Sequence, residues 1–178
     1  MNKVNNVGLN FLDKFNIDYV AIVNNDVIIE DKLLFEKLIS EFKEIKNLGF
    51  IAPVEIDSSG IINQYCARKK PSFLQEILNT FLLYVYFFSK KSSYKINGKQ
   101  SKVEVDILSG AFIFTRFKFF KNIGFFDPGT FLFLEERIIS EKVSKLGLKQ
   151  YVLPKLNYRH KTSESINKKF SNIEQQKI

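Results

Sequence analysis

Three places in the chain put acidic or imidazole groups where an apolar strand or a turn ends. The run Tyr19-Val20-Ala21-Ile22-Val23 stops at Asn24-Asn25-Asp26. Downstream, Gly124-Phe125-Phe126-Asp127 leads through aromatic residues to Glu135-Glu136. The one histidine of the chain, His160, follows a further short strand-like segment. A strand that runs into a carboxylate puts charge at the carboxyl edge of an α/β sheet, where ligands bind. A hard oxygen donor, a carboxylate able to act as general base and a single imidazole together suggest metal-assisted chemistry on a phosphate-bearing substrate. Each group also has a plain reading. Asn24-Asn25-Asp26 suits an Asx turn. Glu135-Glu136 suits the first turn of a helix, where the macrodipole favours carboxylates. A lone histidine is commonly a surface residue. It is their order and spacing that raise all three.

Composition limits the frame these residues sit in. With 178 residues, 45% of them hydrophobic and 26% charged, the chain is long enough for one domain with a core of its own. A net charge of +8 admits nucleotide phosphates, nucleic acid or a membrane surface as partners, and equally a solvated basic surface. No nucleic-acid motif is present and the lysines are dispersed, so no nucleic acid is expected as partner. The 19 Phe against no Trp, alongside many Lys, Asn and Ile, fit the codon usage of an AT-rich genome better than a function. Cys66 is alone, which rules out an intramolecular disulfide and fits a reducing, cytoplasmic compartment. Residues 1–6 lack the apolar core of a signal peptide. The longest apolar stretch, 77–88, is broken by Asn79 and Thr80 and is too short to span a bilayer. With Lys90 and Lys91 after it, it could lie on a membrane surface, or pack as a core helix.

The elements that must position the acids read as follows. A helix over 7–15, capped by Asn5 or Asn6, precedes the strand Tyr19–Val23. An amphipathic helix over 31–46 is punctuated by Gly49, and a strand over 50–54 follows. A turn at 57–60 leads to a return strand at 61–65. Lys69-Lys70-Pro71-Ser72 opens a helix over 73–88, and 89–101 forms a polar, mobile loop. A strand over 103–115 is kinked at Ser109-Gly110. One helical turn at 117–121, a turn at 127–130, and a helix over 135–146 ended by Gly147 come next. Short strands at 150–153 and 156–158 precede a polar tail from Ser165. Helices alternating with strands imply one α/β domain.

In sequence order, several of these segments resemble one family. Asn5-Asn6-Val7-Gly8-Leu9, Asp18-Tyr19-Val20 and Val23-Asn24-Asn25-Asp26 look like its "NNxGL…DYVLLLNND" segment. Leu108-Ser109-Gly110-Ala111-Phe112 looks like its "SGA" strand, and Ile123-Gly124-Phe125-Phe126-Asp127 like "xGxFDE". Phe131-Leu132-Phe133-Leu134-Glu135-Glu136 looks like "FFLYxED", with a second Glu in place of the Asp. Gly147, Pro154 and His160 match a trailing "G…P…H". The chain thus resembles the family 2 glycosyltransferases of the GT-A fold, in particular bacterial rhamnosyltransferase-like and galactofuranosyltransferase-like members. The likeness runs from about Asn5 to Ser165.

The resemblance implies an inverting sugar transfer from a nucleotide-sugar donor to a saccharide or lipid-linked acceptor, as in cell-surface polysaccharide synthesis. Asp26 and His160 would hold a divalent metal, Mn²⁺ or Mg²⁺. Glu136, with Glu135 beside it, would deprotonate the acceptor hydroxyl. Asn24, Asn25, Ser109, Gly110 and Ala111 would line the donor and acceptor cleft. The family pattern opens with strands that build the base pocket, and these have no counterpart before Asn5. The expected architecture is therefore a truncated, Rossmann-like GT-A mixed sheet flanked by helices over 1–165, with a polar tail over 166–178. It would act with a missing N-terminal half, or survive as a non-catalytic remnant or binding module.

Overall fold

In a computed structural model of the chain, residues 2–57, 59–72, 93–129 and 135–160 are described. The elements are α1 (Asn2–Leu12), β1 (Tyr19–Val23), β2 (Val27–Ile28), α2 (Leu34–Glu44), β3 (Leu48–Ile56), a 3₁₀ turn (Gln64–Cys66), β4 (Ala67–Arg68), β5 (Val103–Val105), β6 (Ile107–Leu108), β7 (Phe112–Arg116), α3 (Phe117–Asn122), α4 (Glu135–Lys145) and β8 (Lys149–His160). The fold is the expected mixed α/β sheet with helices against it.

The sheet runs β1-β7-β3-β8-β2, with β5 also paired to β8, and β4 and β6 form a separate two-stranded ladder. β7 is antiparallel to both β1 and β3, and β3 is parallel to β8. It follows that β1, β3 and β8 point the same way. Their carboxyl ends, together with the entry to β7, share one edge of the sheet.

Period-two alternation assigns the core residues of the central strands to opposite faces. On one face Phe50, Ala52, Val54 and Ile113 join Leu9 of α1, Phe117 and Phe120 of α3, and Ile139 and Val143 of α4. On the other, Ile51, Phe112, Phe114 and Tyr158 meet Leu34, Leu38 and Phe42 of α2. Phe120 stands edge-on to Phe50, Phe125 and Phe126 with ring centres 5.2–5.3 Å apart, a favoured aromatic geometry.

Several sequence expectations need correction. α1 begins at Asn2, so Asn5 and Asn6 lie inside the helix and do not cap it. Asn6 instead reaches across the fold, donating from Nδ2 to the Phe126 carbonyl (2.8 Å) and accepting from the Phe126 N–H (3.2 Å). α2 is shorter than 31–46: Asp31 sits ahead of it, its side chain accepting from the Leu33 N–H. The break after α2 belongs to Asn47, in the left-handed region at φ 59°, and not to Gly49. Gly49 is within β3, where a Cβ would stand 3.0 Å from Val143 Cγ1 of α4.

The return strand at 61–65 reduces to one bridge, Ile56 to Ile62, and the 3₁₀ turn, whose Tyr65 N–H is held by the Asn63 side chain. The strand over 103–115 divides into β5, β6 and β7. The two short strands near the end form one twelve-residue strand, and His160 is its last residue. Its register against β3 shifts between Pro53 and Val54, opposite Pro154, since a proline cannot donate to a regular ladder. Of the loop expected to be mobile, the part around Ile96 is pinned: Gln64 bonds both the Ile96 N–H and its carbonyl. The helix over 73–88 with Lys90 and Lys91, the segment 131–134 and the tail from Ser165 lie outside the described residues. No helix among the described residues is long and apolar enough to cross a membrane.

Candidate active site

The site residues sit on the shared strand edge because the register puts them there. After β1, the Val27 N–H bonds the Asn24 carbonyl (3.2 Å), closing a turn over Asn24-Asn25-Asp26-Val27. β2 then pairs antiparallel with the end of β8, Val27 opposite His160. Asp26, one residue before Val27, is thereby laid against the histidine, with Oδ1 2.9 Å from His160 Nε2. Asn25 is exposed at the turn. The Asn24 N–H donates to the Ala111 carbonyl (2.9 Å), which ties this turn to the entry of β7.

Behind the histidine lies Glu55, near the end of β3 and 3% exposed. Its Oε1 is 3.6 Å from His160 Nδ1. The carboxylate accepts from Asn63 Nδ2 (2.8 Å) and from the Tyr158 hydroxyl (3.3 Å). Burial, then the Glu55 charge, pushes the Tyr158 hydroxyl well above its ordinary range, so it stays a proton donor. The Ser109 hydroxyl in turn accepts from the Ala111 N–H at 3.3 Å. A polar chain therefore runs His160, Glu55, Tyr158 through the sheet edge.

Ser109-Gly110-Ala111 bridges to the second group. The Gly110 N–H donates to Glu136 Oε1 at 3.2 Å. Arg68 Nη2, from β4, is 3.5 Å from the same oxygen. The other oxygen of Glu136, and Oε2 of Glu135, are buried without a hydrogen-bond partner among the described residues. A buried acceptor without a donor carries an unrecovered desolvation cost, and is where a substrate hydroxyl would be welcome. Lys142 of α4 caps the Ile123 and Phe125 carbonyls (2.8 and 3.2 Å), and so holds the helix that carries both glutamates against the Gly124-Phe125 turn.

The fold thus brings together Asp26 with His160, Asn24 with Ala111, and Gly110 with Glu136. Sequence reasoning missed Glu55, Tyr158 and Arg68. Glu55 carried a readable signal, an acid at the end of an apolar strand just as Asp26 is. Arg68 carried none. Among the described residues, no three His, Cys, Asp or Glu side chains gather as a ready-made metal cage.

No family model matches the chain. The rhamnosyltransferase WbbL of Escherichia coli (strain K12) is 25% identical over 154 residues, which cover 83% of this chain and 55% of that protein. The chain therefore spans about half the length of the curated relative it matches. The structure of GalNAc-T7 with UDP, GalNAc and Mn²⁺ superposes over 90% of this chain and 30% of its own, with a TM-score of 0.57 at 13% identity. The protein A197 from STIV superposes over 88% of this chain and 64% of its own, with a TM-score of 0.50 at 18% identity. The chain has a GT-A-like glycosyltransferase fold. In this GT-A-like sheet, the strand edge that gathers Asp26, His160, Ser109 and Gly110 is the carboxyl edge, where α/β folds bind ligands.

Proposed function

We propose that the chain belongs to a glycosyltransferase that moves a sugar from a nucleotide-sugar donor to a hydroxyl of a saccharide or lipid-linked acceptor, with inversion, in cell-surface polysaccharide synthesis. The observation that carries this reading is Glu136: a carboxylate fixed through one oxygen by the Gly110 N–H, its other oxygen buried without a partner among the described residues, beside the Asp26–His160 pair's end of the sheet. The distant rhamnosyltransferase relative and the GT-A-like fold support it.

Glu136 takes the proton of the acceptor hydroxyl as that oxygen attacks the anomeric carbon. The new glycosidic C–O bond forms as the bond from carbon to the diphosphate oxygen breaks, and the nucleoside diphosphate leaves with the electron pair. Glu135 adds a second carboxylate at the start of α4. The Ser109-Gly110-Ala111 backbone, with Asn24 and Asn25, lines the cleft between base and diphosphate.

Asp26 and His160 Nε2 fit a divalent cation, Mn²⁺ or Mg²⁺: they are adjacent, one hard oxygen and one imidazole. Two protein ligands with substrate phosphates completing the shell is how such cations are commonly held. Bound there, the cation would offset the negative charge that grows on the leaving diphosphate.

Calorimetric titration with UDP-sugars and dTDP-sugars in Mn²⁺, beside an Asp26→Ala control, tests the reading. Metal-dependent binding that the control loses is expected. No binding by a folded chain would leave a remnant, or one half of a transferase that needs other strands to hold its donor.

A further inference from the structure

We propose that Glu55, buried on β3, is a positioning residue that fixes the imidazole of His160 so that Nε2 faces Asp26 and the cation those two would share. The inference rests on the metal role given above to Asp26 and His160.

β3 is buried along almost its whole length, with Ala52, Pro53 and Val54 ahead of Glu55. Nothing in the packing of such a strand calls for an acid. A buried carboxylate is costly unless it is partnered. Two neutral donors, Asn63 and Tyr158, hold this one in place without cancelling its charge. Asn63 is itself pinned to the same residue, its N–H donating to the Glu55 carbonyl at 2.9 Å. Among the described residues, the group that meets the Glu55 charge is His160, Nδ1 to Oε1 at 3.6 Å. That is an ion-pair separation and longer than a hydrogen bond.

Tyr158 and His160 are two residues apart on β8, so both side chains project from the same face. Tyr158 is directly opposite Glu55 in the ladder. The carboxylate is therefore braced by one residue of β8 and presented to the next on that face. An imidazole can carry a proton on either nitrogen, and an acceptor beside one nitrogen leaves the other for a ligand. Glu55 stands 3.6 Å from Nδ1 and Asp26 2.9 Å from Nε2, so a carboxylate flanks the ring at each end. Histidines that ligate metals commonly face a carboxylate at their other ring nitrogen, and loss of that outer group typically weakens the metal about 10- to 100-fold.

His160 is the single histidine of the chain, so its two ring nitrogens can be followed by ¹⁵N–¹H correlation spectroscopy of the ¹⁵N-labelled full chain without assignment. In Glu55→Gln, the Nδ1 signal is expected to move and the pattern of the two nitrogens to change, while the backbone amide spectrum stays that of a folded chain. Ring signals identical to the unmodified protein would overturn the proposal. Mn²⁺ affinity in the presence of UDP is expected to fall roughly 10- to 100-fold in the same variant. If the unmodified chain binds no Mn²⁺ with UDP yet its ring signals respond to Glu55→Gln, the metal reading fails and the positioning of the ring stands. Should Glu55→Gln not fold, Asn63→Ala and Tyr158→Phe each remove one bond to the carboxylate. Both are expected to shift the ring signals in the same direction by less, and unchanged signals in both would overturn the proposal.

Discussion

The Gly110 N–H donates to Glu136 Oε1 at 3.2 Å, and a Cβ on Gly110 would stand 2.8 Å from that same oxygen. The glycine thus leaves the room that the Glu136 head group occupies. Gly110→Ala should push the Glu136 head group away while the rest of the fold, with only a flexible side chain to displace, stays intact. A displacement of about 1 Å at a reacting group can cost roughly 10²-fold in rate. A drop of that order in sugar transfer, with a Tm shift of no more than a few degrees, is expected. Full activity in the alanine variant would mean that Glu136 does not act from this position.

The two adjacent glutamates should separate in a pair of isosteric variants. Glu136→Gln removes the proposed base and should lower kcat by roughly 10²–10⁴-fold. Glu135→Gln should cost far less, since no backbone donor among the described residues orients its carboxylate. Both changes keep the side-chain shape, and Glu136→Gln keeps an amide oxygen for the Gly110 N–H, so both variants should remain folded. If Glu135→Gln proves the more damaging, the two roles are exchanged.

The sequence revealed the segments of this site better than their contacts. Strand β1, the kink at Ser109-Gly110, the helix from Glu135 and its stop at Gly147 (φ 67°) are all local, set by apolar runs, turn residues and caps that propensity can read. The expected α/β sheet with flanking helices follows from their alternation. What local pattern does not contain is register. That Asp26 would touch His160 depends on Val27 pairing with a residue 133 positions later. Glu55 was hidden for a related reason: its partners Asn63, Tyr158 and His160 come from different parts of the chain. Asn6 was misread as a cap because capping and long-range bonding use the same side-chain chemistry. The length of β8 was missed because Pro154 reads as a strand end, whereas the ladder absorbs it by a shift in register.

Asn6 accordingly gives a stability prediction. Its amide makes both bonds to the Phe126 backbone, joining the N-terminal helix to a turn 120 residues away. Asn6→Ala removes both bonds but gains slightly in helix propensity. A net loss of about 2 kcal/mol is expected, or a Tm lower by roughly 4–8 °C for a chain of this size. Thermal unfolding followed by circular dichroism measures it. An unchanged Tm would show that water satisfies the Phe126 groups equally well.

At alkaline pH two buried groups, the Cys66 thiol at the end of the 3₁₀ turn and the Tyr158 hydroxyl on β8, should govern stability. Burial pushes the Cys66 thiol up from 9.0 to about 11. Burial and the Glu55 charge hold the Tyr158 hydroxyl well above 10. Both pKa values are higher in the folded than in the unfolded chain, so the unfolded chain loses its protons first. The stabilisation is therefore fully present below pH 9 and is lost as pH rises, from about 9 to 11 for Cys66 and from 10 upward for Tyr158. For Cys66 the loss amounts to about 2–3 kcal/mol. The urea midpoint of the unmodified chain should fall steadily between pH 9 and pH 11. In Cys66→Ala the midpoint at pH 8 should be lower, because a buried side chain is shortened, but its decline between pH 9 and 10 should be markedly shallower. A decline as steep as that of the unmodified chain would mean that other groups, and not the buried thiol, carry the alkaline instability.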